Sequence, residues 1–391
     1  MISVFDRKED CCGCTACENI CPTEAIKMVQ DEEGFLYPYI DQGLCINCGN
    51  CTDVCAFQNE RRAINNNEIS EVYAVKHKSN DVRFTSSSGG AFTAISDYIL
   101  SKEGVVYGAT FDENFNVVHK RQETYEGRDS LRGSKYVQSN LKQVYDQVKS
   151  DLQGGRFVLF TGTPCQVAGI NSFLVKARID SSKLITTDII CHGTPSNKLF
   201  HDYVLFLEKK SKSKLKNYNF RSKVVGWKHT EVATFYNGKH TYNTLATQIF
   251  KKLFYSNLCL RPSCYECRYT SFTRPSDITI ADYWGVEKHL PEFTDNLGVS
   301  AVLINSHKGK EVFANLTESI YMEKSSINDC AERQTNLYKP TSKNSKRNEF
   351  WSDYFEHGFT YIAKRYGGYG IKGKTKRIIA ITLRKLGLLD R

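Results

Sequence analysis

Two copies of one cysteine spacing lie near the N-terminal end, and they constrain that region more than anything else in the chain. Cys11, Cys14, Cys17 and Cys21 read C-x2-C-x2-C-x3-C and are followed by Pro22. Cys45, Cys48, Cys51 and Cys55 repeat the spacing and are followed by Ala56. A tight C-x2-C-x2-C loop presents three thiolates to three corners of an iron–sulfur cube. In two-cluster ferredoxins the fourth ligand is the last cysteine of the other motif. The spacing therefore predicts two [4Fe–4S] clusters, one on Cys11, Cys14, Cys17 and Cys55, the other on Cys45, Cys48, Cys51 and Cys21. Structural zinc is one alternative, but it usually takes separated C-x2-C pairs. Disulfides are another. Met1 to Asp10 is short and polar and lacks the apolar stretch of a secretory signal, so a reducing compartment is expected, where cysteines bind metal or catalyse. Cys12 falls outside the spacing and reads as a spectator.

The length of 391 residues suggests two to three domains. Hydrophobic residues make up 40% and charged residues 25%, enough to build a core. No apolar run approaches the roughly 20 residues of a membrane span. A cytoplasmic protein is expected, or one peripheral to the inner membrane face. The net charge of +10 is compatible with nucleic acid, a membrane surface or an acidic partner. With iron–sulfur chemistry, the expected partner is a ferredoxin-like or other redox protein, and nucleic acid is not expected. Much of the excess sits at the end, where Gly358 to Arg391 carries nine Lys and Arg against the single acid Asp390. Thr375 to Leu389 resembles a basic amphipathic helix. Its apolar positions do not gather on one narrow face and Gly387 weakens it, so a membrane surface is disfavoured.

Residues 1–58 read as the cluster module. Within it Ala25 to Val29 and Phe35 to Ile40 flank Asp31-Glu-Glu-Gly34, a hairpin pattern. Residues 59–70 are polar and Asn-rich, a linker. Short apolar strands then alternate with helices, which argues for an α/β core divided here into residues 71–154 and 155–330, followed by a basic extension, 331–391. Strands are expected at Val72–Lys76, Gly104–Thr110, Phe115–His119, Arg156–Thr161, Leu184–Ile190, Asp277–Ala281 and Val299–Asn305. Helices are expected at Ala91–Ser101, Asn140–Leu152, Pro164–Ala177 and Asn197–Lys210. A hairpin is expected over Val232–Tyr242.

Three loops follow predicted buried strands: Gly162-Thr-Pro-Cys-Gln166, Cys191-His-Gly-Thr-Pro195 and Asp282-Tyr-Trp-Gly285. In open α/β sheets that edge binds ligands, which suggests one shared pocket. Ser86-Ser-Ser-Gly-Gly90 opens a helix, either as a phosphate cradle or as an ordinary serine cap with a glycine turn. Cys259-x4-Cys264-x2-Cys267 is a weaker metal signal, for a third [4Fe–4S] cluster, zinc or a structural thiol group. Its fourth ligand is Cys191 or Cys165. Cys191 is preferred, because Cys165 opens a helix, where its thiolate would be stabilised for redox or catalytic use. Gly133-Ser-Lys-Tyr-Val-Gln-Ser139 offers Lys135 for a phosphate and Tyr136 for stacking, or is a solvated loop. His192 is a candidate proton donor or a structural histidine.

Taken together, the Ser86–Gly90, Gly133–Ser139, Phe160–Gln166, Asp188–Ser196, Cys264–Cys267 and Asp277–Gly285 segments resemble the coenzyme F-420 hydrogenase/dehydrogenase beta-subunit family over about residues 70 to 330. The resemblance implies an α+β ferredoxin-like N-terminal module followed by a larger α/β flavin-binding core. It implies FAD and a [4Fe–4S] cluster in the core, with Ser88, Gly89, Gly90, Lys135, Tyr136, Gln138, Thr163 and Gln166 as flavin neighbours. The expected activity is an FAD- and [4Fe–4S]-dependent oxidoreductase that draws electrons from a redox protein and acts on a small molecule the sequence does not identify. The alternative is an electron-relay subunit that serves a catalytic partner subunit; a homo-oligomer is a further expectation. Ala281 stands where the family usually has Gly, and nothing marks a deazaflavin site.

Overall fold

A computed structural model describes residues 3–59, 67–141 and 143–371, with 373, 375, 379 and 382 beyond them. Most of the expected linker (60–66) and of the Thr375–Leu389 tail lies outside the described residues.

A small α+β unit comes first. Its hairpin pairs β1 (Ile26–Gln30) with β2 (Leu36–Ile40), antiparallel. Two one-turn helices, Ala16–Asn19 and Asn50–Asp53, each start after a residue in the left-handed region, Thr15 and Gly49. The repeated cysteine spacing thus becomes a repeated loop-and-turn.

After β3 (Asn67–Glu68) the larger mixed α/β core begins. Its strands are β4 (Glu71–His77), β5 (Val105–Phe111), β6 (Val117–Gln122), β7 (Val158–Gly162) and β8 (Leu184–Ile189). A separate three-stranded sheet follows: β9 (Leu215–Asn219), β10 (Val232–Phe235) and β11 (His240–Tyr242). β12 (Thr273–Arg274) pairs with β3, and β13 (Ile278–Asp282), β14 (Ser300–Ile304) and β15 (Ile320–Ser325) complete the main sheet. The eight-stranded order is β15-β4-β14-β13-β8-β7-β5-β6. The central four, β13, β8, β7 and β5, run parallel, and their flanks are antiparallel. Continuous apolar runs such as Val158-Leu-Phe160, all fully buried, are what a parallel strand covered on both faces requires.

Helices Ala91–Ser101 and His307–Ala314 pack one face through Ile95, Ile99 and Phe313. Helices Val144–Gln153 and Pro164–Lys176 pack the other, through Tyr145, Val148, Ile170 and Phe173, and join the module's Ala16, Val54 and Phe57 in one core. A second core is aromatic, built on Phe200, Tyr203, Phe220 and Phe250. Residues read as a basic extension contribute to it, because helices Arg347–His357 and Phe359–Arg365 insert Phe350, Trp351 and Phe359. Arg347 forks onto the carboxylate of Glu33 at the module's hairpin turn. No helix among the described residues is long and apolar enough to cross a membrane.

Candidate functional site

The module's eight spaced cysteines stand around two hollows. Cys11, Cys14, Cys17 and Cys55 line the inner one. Cys21, Cys45, Cys48 and Cys51 line the outer one. Each motif sends its fourth cysteine to the other's hollow. The inner hollow faces the core: Tyr145 donates to the Cys14 carbonyl at 2.6 Å, and Ser172 donates to the Val54 carbonyl at 2.8 Å. The outer hollow faces outward, with Cys48, Leu44 and Ile46 exposed.

A third hollow lies at the C-terminal edge of the parallel strands and is lined by Cys165, Cys191, Cys264 and Cys267. The loops after β7 and β8 both reach it, but the Asp282–Gly285 loop after β13 does not line it. Cys165 and Cys191, weighed as alternatives, are both there. Cys259 is not. It is fully buried in the aromatic core, and its thiol is pushed up to about 12 by burial. Leu258 and Leu260 beside it are buried too, so this stretch is packing. Burial raises Cys264 to about 11 and Cys267 to about 12, with like-charge repulsion from neighbouring thiols as a smaller cause. Among the described residues no three His, Cys, Asp or Glu side chains converge to hold a single metal ion; the thiols stand around hollows instead.

The third hollow's loops are tied down by a fully buried ion pair, Arg274 to Asp188 at 2.9 Å. Arg274 also donates to the carbonyls of Ile189 and Tyr269, which fixes the chain on the approaches to Cys191 and Cys267. Thr279 donates to Asp188 at 2.6 Å. Burial raises the Asp188 pKa and Arg274 opposes the rise.

The inner and third hollows share a wall. Cys12 and Phe57 line both. Cys12, expected to be a spectator, is buried, and its thiol hydrogen-bonds toward Cys14 and Cys165. That contact lowers Cys14 to about 7 and lowers Cys165 as well. Arg261 lines the third hollow and reaches the inner one. It donates to the Cys11 carbonyl at 2.8 Å, the Leu36 carbonyl at 2.9 Å, the Gln138 amide oxygen at 3.0 Å and the Cys11 sulfur at 3.5 Å.

Of the eight residues expected beside a flavin, three line the third hollow and five do not. Gln138, Thr163 and Gln166 line the third hollow. Thr163 and Gln166 form the capping box of helix Pro164–Lys176, with Gln166 accepting from the Thr163 amide at 3.0 Å. Ser88 donates to the Val299 carbonyl at 2.7 Å. A side chain on Gly89 would lie 2.1 Å from the Val75 carbonyl oxygen, so that glycine is required by strand packing. Gly90 caps helix Ala91–Ser101 in the left-handed region. Lys135 donates to the carbonyls of Ser130, Leu131 and Arg132, and burial brings it down to about 7. Tyr136 stacks on His229 at 5.1 Å.

The ring nitrogens of His192 face the amide oxygens of Asn257, at 2.8 Å, and Asn336, at 3.2 Å. The residue lines the third hollow, and these contacts hold its ring there.

Sequence reasoning missed four side chains. Arg221 joins three of the quoted loops, bonding the Asp282 carboxylate, the Tyr136 hydroxyl and the Ser87 carbonyl. For Arg261 and Arg274 one signal was available, since they stand close before Cys264 and close after Cys267. Cys12 offered none beyond its position next to Cys11.

Residues 155–329 match the family model for the C terminus of the coenzyme F420 hydrogenase/dehydrogenase beta subunit. Residues 10–59 match the 4Fe-4S dicluster domain. No curated protein matches significantly. Among solved structures, a chain described under "Xenon derivatization of the F420-reducing [NiFe] hydrogenase complex from Methanosarcina barkeri" aligns at 16% identity with a TM-score of 0.48, covering 69% of this chain and 90% of that chain.

Proposed function

We propose that this chain, which belongs to the coenzyme F420 hydrogenase/dehydrogenase beta-subunit family and carries an N-terminal 4Fe-4S dicluster domain, is an electron-relay subunit that serves a separate catalytic partner. The observation that carries this reading is the row of three four-cysteine hollows, outer, inner and third, of which the last two share the Cys12–Phe57 wall.

The donor sets fit iron–sulfur cubes. Each hollow has the four thiols a cube needs, with Cys12 as a fifth in the wall between the inner and third, and the buried guanidinium of Arg261 suits anionic centres on either side. In this reading Cys21, Cys45, Cys48 and Cys51 would hold the outer cluster. Cys11, Cys14, Cys17 and Cys55 would hold the inner one, and Cys165, Cys191, Cys264 and Cys267 the third. Such groups, when bound, supply storage and transfer of single electrons. The protein's own part is positional. Exposed Leu44 and Ile46 put the outer hollow within reach of a redox protein. Arg274 and Asp188 hold the third hollow's loops, and Tyr145 and Ser172 seat the module against the core.

A second reading keeps the chain as an FAD-dependent reductase with its own substrate. It is favoured by Arg221, which draws the Ser87, Tyr136 and Asp282 loops together beside the stacked Trp227 and Trp284 rings, 4.9 Å apart. Against it, only three of the eight expected flavin neighbours line the third hollow.

The discriminating experiment is anaerobic purification followed by flavin analysis and turnover assays. The relay reading expects the reduced chain to pass electrons to a one-electron dye and to reduce no two-electron substrate without a partner. Stoichiometric FAD, together with turnover of a small molecule by the chain alone, would replace it with the second reading.

A further inference from the structure

Arg261 is only 1% exposed, and among the described residues no carboxylate pairs with it. Its donors go to two backbone carbonyls, one amide oxygen and the Cys11 sulfur. Arginine is almost never fully buried without an opposite charge, and an uncompensated buried cation is strongly destabilising. The Tyr37 ring, 4.2 Å from the guanidinium carbon, contributes cation–π attraction but no net charge.

Its position suggests what supplies the missing charge. The Arg261 carbonyl accepts the Cys264 amide at 2.9 Å, so its backbone belongs to the third hollow. Its side chain crosses to the inner hollow and ends on Cys11. Gly13 lies against it so closely that a β-carbon there would fall 2.8 Å from an Arg261 nitrogen. One buried positive charge therefore stands between two four-cysteine groups and away from the outer one.

We propose that Arg261 is the shared electrostatic tuning residue of the inner and third centres, raising the reduction potential of both and leaving the outer centre unaffected. This rests on the relay reading. A cluster becomes more negative on reduction, so a fixed cation stabilises its reduced form. Hydrogen bonds to cluster sulfur act in the same direction, and the low local dielectric strengthens both effects. The arrangement makes the buried pair of centres better electron acceptors than they would be without it, which favours electron flow from the surface inward.

The test is an EPR-monitored redox titration of the anaerobic holoprotein. Arg261→Gln removes the charge and keeps a polar side chain. Arg261→Lys keeps the charge and loses the fork. The outer signal is identified by its loss in Cys48→Ser. In Arg261→Gln the two buried centres are expected to lose at least tenfold in their reduction equilibrium, about 59 mV for a one-electron couple, with the outer centre unmoved. In Arg261→Lys all three stay within that range. Unmoved buried centres in Arg261→Gln, or equal shifts in all three, would overturn the proposal. If Arg261→Gln fails to fold, Arg261→Lys decides: native-like potentials support the proposal, and a tenfold loss with the charge retained overturns it. Full iron with unshifted potentials removes this role and leaves the relay reading intact. A native chain without iron removes the relay reading itself.

Discussion

Gly169 faces Cys14 with no side chain between them. A β-carbon at 169 would lie 2.9 Å from Cys14 Cβ, 3.0 Å from its Sγ and 2.7 Å from the Tyr145 hydroxyl. The glycine sits inside helix Pro164–Lys176, where it costs helix stability, and the contact explains the cost: the helix offers a flat seat on which the inner cysteine loop rests. Gly169→Leu should push that loop off, at about 1–3 kcal/mol of overpacking. The expected result is loss of about four iron per chain with the circular dichroism of the core unchanged. Full iron retention would mean that the seat is not needed.

Asp188 and Arg274 should be mutually dependent. Removing one leaves the other charged and buried, which costs about 3–5 kcal/mol. Asp188→Asn is expected to lower the unfolding free energy by that amount and to deplete iron at the third hollow, because Arg274 then loses its anchor beside Ile189 and Tyr269. Chemical denaturation with iron analysis checks both.

Arg347 should act as a clamp on the module. Arg347→Met strands the Glu33 carboxylate, which burial already pushes above its ordinary range. A loss of about 3–5 kcal/mol is expected. Arg347→Met combined with Glu33→Gln should recover part of it, since no buried charge is then unpaired. A double-mutant cycle by urea denaturation reads the coupling, and additive losses would show the pair to be independent.

His119 gives the stability a pH dependence. Burial holds its pKa at about 4, below its ordinary 6.5. Its Nδ1 accepts from Ser139 Oγ at 2.6 Å and its Nε2 donates to the Thr161 carbonyl at 2.8 Å, a pattern the neutral ring satisfies. A depressed folded pKa means the unfolded chain binds more protons between the two values. This contribution is therefore intact above pH 6.5 and is lost as pH falls toward 4, by about 3 kcal/mol. His119→Gln should flatten that part of a stability–pH curve relative to the native chain.

The cysteine repeat was legible because ligand spacing is a local property, and the exchange of fourth cysteines follows from two copies. The parallel strands were legible because a doubly covered strand is apolar over its buried length, as Val158 to Phe160 shows. The rest depended on contacts between distant segments. Cys259 shares a spacing with Cys264 and Cys267, but only the fold shows Leu258 and Cys259 turned into an aromatic core. β15 is an edge strand with four exposed residues in the middle, so it carries no alternation to read. The Phe350, Trp351 and Tyr354 anchors lie in a segment read as a basic extension. Arg261 meets Cys11 across 250 positions, a relationship no local pattern encodes.

In the relay reading three groups of four cysteines hold iron, and Cys165, not Cys259, belongs to the third. The most direct measurement is iron and sulfide content after anaerobic purification of the native chain, Cys165→Ser and Cys259→Ser. This reading expects about twelve iron in the native chain, about eight in Cys165→Ser and about twelve in Cys259→Ser. Retention of all iron in Cys165→Ser, with loss of about four in Cys259→Ser, would contradict it.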